Sequence, residues 1–114
     1  LHRQYVQQPE WLIVPALHRE YSARNSDEIQ AGIKNKSKLL LHYRREDGQE
    51  SERTVWPLGL VFWGSTWTLI AWCEIRDDYR MFRLDRVAEL TTLNETFTTT
   101  DTCNLQHYWH NATP

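Results

Sequence analysis

Residues 53–87 read RTVWPLGLVFWGSTWTLIAWCEIRDDYRMFRLDRV. An apolar run from Val55 to Trp63, interrupted by Pro57 and Gly59, opens the stretch. Gly64-Ser65 supplies a turn, and Trp67 to Cys73 forms a second run rich in aromatic and β-branched residues. Arg76-Asp77-Asp78 makes a second break, after which Tyr79 to Val87 interleaves apolar residues with arginines. Runs of this length between turn-forming clusters predict consecutive strands joined by hairpins. Each is too short for a typical helix, and none holds a clean 3.6-residue apolar period.

Outward from this core the pattern continues. Leu39 to Arg44 predicts a preceding strand, and Glu46-Asp47-Gly48-Gln49 a turn in which Gly48 takes positive φ. Ser51 begins the next strand; Pro57 removes a ladder donor, so that strand bends or bulges near Pro57-Leu58-Gly59. A highly curved barrel requires such a bend. The threonine-rich segment from Glu89 to Thr100 fits a fifth strand or edge segment anchored by Leu90, Leu93 and Phe97. Ser26 suits an N-cap, with Asp27 and Glu28 placed against the dipole of the first turn. A helix over residues 27–36 would bury Ile29 and Ile33 and close one end of the barrel. Asp101 or Thr102 can cap a second short helix containing Leu105, Tyr108 and Trp109. Residues 1–25 read as a linker or the remnant of a preceding region, residues 26–110 as the domain and residues 111–114 as a tail. Trp11-Leu12-Ile13-Val14 is compatible with a short strand or a helix remnant. The pattern alone predicts a small, mainly β barrel with a short helix at each end.

At 114 residues the chain makes one small domain, and its formal charge of −2 gives no global electrostatic case for duplex DNA. The distribution is more informative. All the lysines, Lys34, Lys36 and Lys38, lie in one segment, and from Arg44 to Arg86 every basic residue is an arginine. Arginine suits planar, bidentate recognition of phosphate or carboxylate. Cys73 in its apolar run reads as a small hydrophobe, with a Cys73–Cys103 disulfide left open. The Asn94-Glu95-Thr96 and Asn111-Ala112-Thr113 tripeptides match glycosylation acceptors, a pattern common by chance. No stretch is long and apolar enough to span a membrane and the start does not look like a signal peptide, so the cytoplasm is the expected location.

Three ordered motifs resemble the WYL domain, a sensory module found downstream of a helix-turn-helix in many bacterial transcription regulators. Ser51-Glu52-Arg53-Thr54-Val55-Trp56-Pro57-Leu58-Gly59-Leu60 resembles the family's S-x-R-x-V-x-P-x-G-L entry. Trp67-Thr68-Leu69-Ile70-Ala71-Trp72-Cys73 resembles its W-Y-L strand, with Thr68 where the family has tyrosine. Asp77 to Val87 resembles its D-D-x-R-x-F-R-L-D-R-I segment. The resemblance covers residues 26–108 with its flanks and implies an SH3-like or Sm-like five-stranded, strongly bent antiparallel barrel. It also implies that a winged helix-turn-helix precedes this segment in a longer protein.

The third motif carries the chemistry. In a straight strand Arg80, Phe82, Leu84 and Arg86 share a face and Arg83 points the opposite way. Phe82 and Leu84 are core candidates, with Arg80 and Arg86 at the rims, about 20 Å apart if fully extended and closer if the chain bends at Asp85. Arg53 can reach the same rim from a neighbouring strand, with Ser51 adding a hydroxyl. The candidate ligand-binding set is Ser51, Arg53, Arg80 and Arg86, with Tyr43 as a stacking platform and Arg83, and the resemblance adds Thr68, whose position on the central strand matches a pocket position of the family. The competing reading pairs these arginines with Asp77, Asp78, Asp85 and Glu74 as surface ion pairs. Composition favours that reading, because surface pairs are common and weak, and the resemblance reverses the preference. Trp56, Trp63, Trp67, Trp72 and Tyr79 are dense around the arginines, a composition that holds single-stranded nucleic acids, but each tryptophan is more readily a core residue.

His107 and His110 form the only local histidine pair, without an evident third metal ligand. Asp77-Asp78 reads as turn-making, and nothing resembles a nucleophile elbow, a phosphate-binding glycine loop or a carboxylate pair with divergent environments. No enzymatic activity, metal or cofactor is expected. The resemblance implies a ligand-sensing regulatory domain that binds an anionic effector, a nucleotide or a short single-stranded DNA or RNA. Operator DNA would be contacted only through an N-terminal domain, by a regulator expected to act as a homodimer. The alternatives are a protein–protein interaction module and an Sm-like RNA-binding domain acting alone.

Overall fold

The computed structural model describes residues 25–63 and 66–112, together with Leu12 and Ile13 as a short strand. In chain order the elements are β1 (Leu12–Ile13), α1 (Ser26–Asn35), β2 (Ser37–Arg44), β3 (Glu50–Trp63), β4 (Thr66–Cys73), β5 (Asp78–Arg83), a 3-10 turn (Leu84–Arg86), β6 (Val87–Thr96) and α2 (Leu105–Ala112). The main sheet runs β5-β4-β3-β2-β6, antiparallel throughout, and β1 adds parallel to β3 at Leu60 and Val61. A mainly β fold with a helix at each end is what the sequence predicted. Among the described residues no ladder between β5 and β6 closes the sheet.

Its curvature has local causes. The β3–β4 register shifts between Pro57 and Gly59, the bulge expected where proline withholds a ladder donor. The β2–β6 register shifts twice, between Ser37 and Leu39 and between His42 and Tyr43. As a result the sheet curls on itself. Tyr43 of β2 and Phe82 of β5 belong to strands separated by two others, yet their rings meet edge-to-face at 5.2 Å. The Arg83 backbone N–H donates to Tyr43 Oη at 3.2 Å across the same gap.

Antiparallel partners share a face of the sheet. The register therefore sets Leu39, Leu41 and Tyr43 of β2 beside Val55, Arg53 and Ser51 of β3, then Val55 and Pro57 of β3 beside Cys73 and Ala71 of β4, and Cys73, Ala71 and Leu69 beside Asp78, Arg80 and Phe82 of β5. Most of this concave face is the core: Ile29, Leu39, Leu41, Val55, Leu60 and Leu69 are fully buried, with Phe82, Leu84 and Val87 almost so. Each such side chain contributes about 1.5–3 kcal/mol relative to exposure.

Helix α1 packs at the Leu39 end of this face. Ile29 and Ile33 are buried, and a Cβ on Gly32 would meet Leu39 Cδ2 at 3.1 Å and Pro57 Cγ at 3.4 Å. The predicted cap is displaced by one residue. Asn25 flanks the helix in the left-handed region at φ 70°, which asparagine tolerates, and Ser26 is the first helical residue. Lys36 ends the helix at φ 55°, its N–H donating to the Ile33 carbonyl. Helix α2 is capped by Asn104, not by Asp101 or Thr102: Asn104 Oδ1 accepts the His107 N–H at 2.8 Å. Both cysteines are free and buried. Of the N-terminal patch, Leu12 and Ile13 form β1; the expected linker character of residues 1–25 otherwise lies outside the described residues apart from Asn25.

Candidate anion site

The end of the curled sheet opposite α1 gathers most of the predicted ligand-binding residues. Tyr43 and Ser51 are cross-strand partners, and Leu41 pairs with Arg53. Their side chains therefore stand on the concave face that also carries Arg80, through the Ala71–Arg80 pairing. The predicted run of one strand from Tyr79 to Val87 does not hold. It breaks into the 3-10 turn at Leu84–Arg86, which takes Arg86 off the β5 face and turns the chain back into β6. That turn is the bend anticipated at Asp85. Arg86 then lines an open hollow of about 530 Å³ with Tyr43, Arg45, Glu46 and Asp47.

The four arginines of the candidate set fall into two kinds. Arg80 stands 3.9 Å from the Asp78 carboxylate and donates to the Tyr79 carbonyl at 3.1 Å. Arg83 grips Asp85 with two parallel bonds, Nε to Oδ1 at 3.1 Å and a terminal nitrogen to Oδ2 at 2.7 Å. This pairing pushes the Arg83 guanidinium further up and holds the Asp85 carboxyl below its ordinary range. For these two the surface ion-pair reading describes what the side chains do. Arg53 and Arg86 differ: among the described residues neither forms an ion pair. Arg53 instead points a terminal nitrogen at Cys73 Sγ, 3.8 Å away. Glu74, offered as an arginine partner by the sequence, is taken by Lys38 at 2.7 Å and by Trp56 Nε1 at 2.8 Å.

Ser51 Oγ is buried and has no hydrogen-bond partner among the described residues. A buried hydroxyl without a partner is costly, and this one lies on the cross-strand partner of Tyr43, two residues from Arg53. Tyr43 is fixed at both ends of its ring, by Phe82 at the edge and by the Arg83 N–H at the hydroxyl. Thr68 is not brought to this group. It pairs with Val61 and Arg83, so it and Arg83 stand on the convex face, where Thr68 is buried.

The tryptophans also part from the arginines. Trp56, Trp72 and Tyr79 are successive cross-strand partners on the convex face. Trp56 stacks on Phe97 at 5.4 Å, and Tyr79 packs on Trp72, His107 and Tyr108. The Tyr79 hydroxyl accepts the Asn104 N–H at 3.1 Å and lies 2.8 Å from His107 Nδ1, which locks α2 onto β5. The expected proximity of these rings to the anion-binding residues is thus corrected for Trp56, Trp72 and Tyr79; among the described residues Tyr43 and Trp67 have the parity of the concave face and pack against its core. Strand parity carried the signal, since Arg53 and Val55 alternate with Thr54 and Trp56. Glu46 and Asp47 were read as turn residues alone, and their place beside Arg86 follows from the β2–β6 ladder, in which Tyr43 pairs with Val87.

A WYL domain family model matches residues 24–92. The chain belongs to the WYL domain family. It is 31% identical over 80 residues to the uncharacterized HTH-type transcriptional regulator YobV of Bacillus subtilis, a match covering 70% of this chain and 26% of that one. It is 34% identical over 77 residues to the DNA-binding transcriptional repressor CapW of Escherichia coli, covering 67% of this chain and 26% of the relative. Among solved structures, proteasome accessory factor B/C (PafBC) of Arthrobacter aurescens superposes with a TM-score of 0.62 at 31% identity, over 69% of this chain and 12% of that one. The chain thus spans about a quarter of the curated relatives it matches, and those relatives are transcription regulators. No helix of the described residues is long and apolar enough to cross a membrane.

Proposed function

We propose that this chain is the effector-sensing domain of a bacterial transcription regulator, and that an anionic ligand binds at the mouth of the curled sheet. The observation that supports it most directly is the set of polar groups there that are unanswered among the described residues: Arg53 and Arg86 without ion-pair partners and Ser51 Oγ buried without a hydrogen bond. Phosphate oxygens would meet the two guanidiniums and the hydroxyl. Arg80 would join by leaving Asp78, a weak pair at 3.9 Å on an exposed side chain. Tyr43 offers its ring to a base, and Arg83, committed to Asp85, takes a supporting part. Thr68 would act only indirectly, through the β4–β5 ladder.

Nucleotides and short single strands carry both the phosphate and the ring that this arrangement suits. In the full regulator, taken as a homodimer, the effector would act through its differential affinity for two arrangements of the DNA-binding domains. Operator contact would be left to those domains.

The test is fluorescence anisotropy of labelled short single-stranded DNA and RNA at two salt concentrations. Binding that weakens with salt and is lost in Arg53→Ala and Arg86→Ala supports the reading. Salt-insensitive binding, or binding that survives both substitutions, would sink it.

A further inference from the structure

We infer that the hollow beside Arg86 selects a ribonucleotide unit, free or within an RNA strand, through the carboxylates of Asp47 and Glu46. The inference rests on the anion-site reading above and names the chemistry that reading leaves open. The lining of the hollow is electrically balanced: Arg45 and Arg86 oppose Glu46 and Asp47 around Tyr43. Among the described residues none of these four charged groups forms an ion pair with another. Opposite charges that face a common opening without neutralising one another leave donors and acceptors available to a ligand that carries both.

A bare polyanion is a poor match, because two carboxylates would repel it. A carboxylate only accepts hydrogen bonds, so its natural complement is a neutral donor pair. The ribose hydroxyls are such a pair, and an acidic side chain holding them is a known solution in nucleotide sites. The 2′-hydroxyl is also the group by which a protein separates RNA from DNA. Phosphate on Arg86 and Arg45, base against Tyr43 and ribose on the carboxylates would use every kind of group in the hollow.

Asp47 is positioned for this in advance. Its Oδ1 accepts the Gln49 N–H at 3.0 Å, while Oδ2 has no partner among the described residues. The turn beneath it is closed by the Arg45 N–H to the Gln49 carbonyl at 2.7 Å and the Gly48 N–H to the Arg45 carbonyl at 3.0 Å. Gly48, at φ 88°, permits that closure. One carboxylate oxygen is thereby spent on holding the turn and the other is left free. Glu46 sits beside it on the same turn.

The experiment compares labelled short RNA with DNA of the same sequence, and AMP with 2′-deoxy-AMP, on the unaltered chain and on Asp47→Asn, Glu46→Gln and Arg86→Ala. Asparagine keeps an oxygen for the Gln49 N–H, so the turn survives the substitution. The expected result is a preference of roughly tenfold or more for the ribose form, since a site built to bond a hydroxyl rejects the analogue without it. That preference should collapse in Asp47→Asn or Glu46→Gln, while Arg86→Ala weakens both forms alike. The mononucleotide and oligomer arms tell a free nucleotide from a strand. Equal binding of the ribose and deoxyribose forms, lost in Arg86→Ala, would overturn this inference and leave the anion site standing. Carboxylate variants that tighten both forms equally would do the same, marking Glu46 and Asp47 as mere repulsion. Binding of neither form would overturn both.

Discussion

Arg53 and Arg83 lie on opposite faces of one sheet and carry the same side chain, yet they have different work. Arg83 is saturated by Asp85, so its substitution by alanine should alter the turn at Leu84–Arg86 before it alters any ligand. Arg53 and Arg86 have no ion pair to lose among the described residues. Alanine at either is expected to weaken ligand binding by a factor of roughly 10 to 150, about 1.5–3 kcal/mol for a charge-assisted bond, with little change in Tm. A large drop in Tm would make them structural. At Tyr43 the order reverses. Phenylalanine there keeps the ring but strands the Arg83 N–H, at a cost of about 1 kcal/mol in chemical denaturation.

His42, on the convex face, gives a pH test. Its imidazole lies 2.6 Å from a Glu50 oxygen and 3.9 Å from Glu52, and these carboxylates together with Glu89 raise its pKa above the ordinary 6.5. The Glu50 carboxyl is lowered in turn by His42 first and Arg44 next. A raised folded-state value stabilises most below the unfolded value and is lost as pH rises through the folded one; the lowered Glu50 sets the acid limit in the opposite sense. The pair therefore works in the mildly acidic range between the two. The Tm difference between the unaltered chain and His42→Gln should be largest near pH 6 and vanish in mild alkali. A difference independent of pH would mean the ion pair is not its source.

Among the elements, the strands were legible to within a residue or two at most ends, while the end of β5 and the helix caps were not. Runs of apolar residues and the Pro57-Leu58-Gly59 bend announced β3 to β5 because burial and ladder chemistry act over many residues at once. Gly48 was legible because a tight turn at φ 88° selects glycine; with no atom near its missing Cβ, Gly48→Ala isolates the backbone strain. It should cost about 1 kcal/mol by denaturant titration, and no cost would mean the turn readjusts. The caps escaped, since Asn25 and Asn104 each compete with a neighbouring Ser, Asp or Thr of similar propensity and only tertiary packing decides. The α2 cap can be tested by itself: Asn104→Ala should cost about 1 kcal/mol and expose the amides of α2 to hydrogen exchange while those of β3 and β4 stay protected. The 3-10 turn at Leu84–Arg86 was legible only as a bend at Asp85 and not in kind, because Leu84 and Val87 are buried by parts of the fold distant in sequence.

For the whole molecule, long-range strand pairing creates the candidate site. Tyr43 and Arg45 lie in one stretch of chain and Arg86 in another, and no local pattern predicts the β2–β6 ladder that sets Tyr43 opposite Val87 and brings the Glu46–Asp47 turn up to the 3-10 turn. The family motifs located the arginines without showing which are already engaged. That distinction required coordinates, as did the division of the molecule into a concave face with the arginines and a convex face with the aromatic ladder.

One feature of the sheet reaches beyond ligand chemistry. Because no ladder joins β5 to β6 among the described residues, both outer strands keep one edge outside the sheet's ladders, with only local bonds such as that from the Arg83 N–H to Tyr43 across it. Such margins invite addition of a further strand and, from there, aggregates. Here they are studded with charge: Asp78 and Arg80 are exposed along β5, and Glu89 and Glu95 along β6. Neutralising them would leave the melting of a dilute sample nearly untouched and lower the concentration at which the protein stays dispersed. The same guanidinium at Arg80 would then serve as a guard on solubility whenever no ligand is bound.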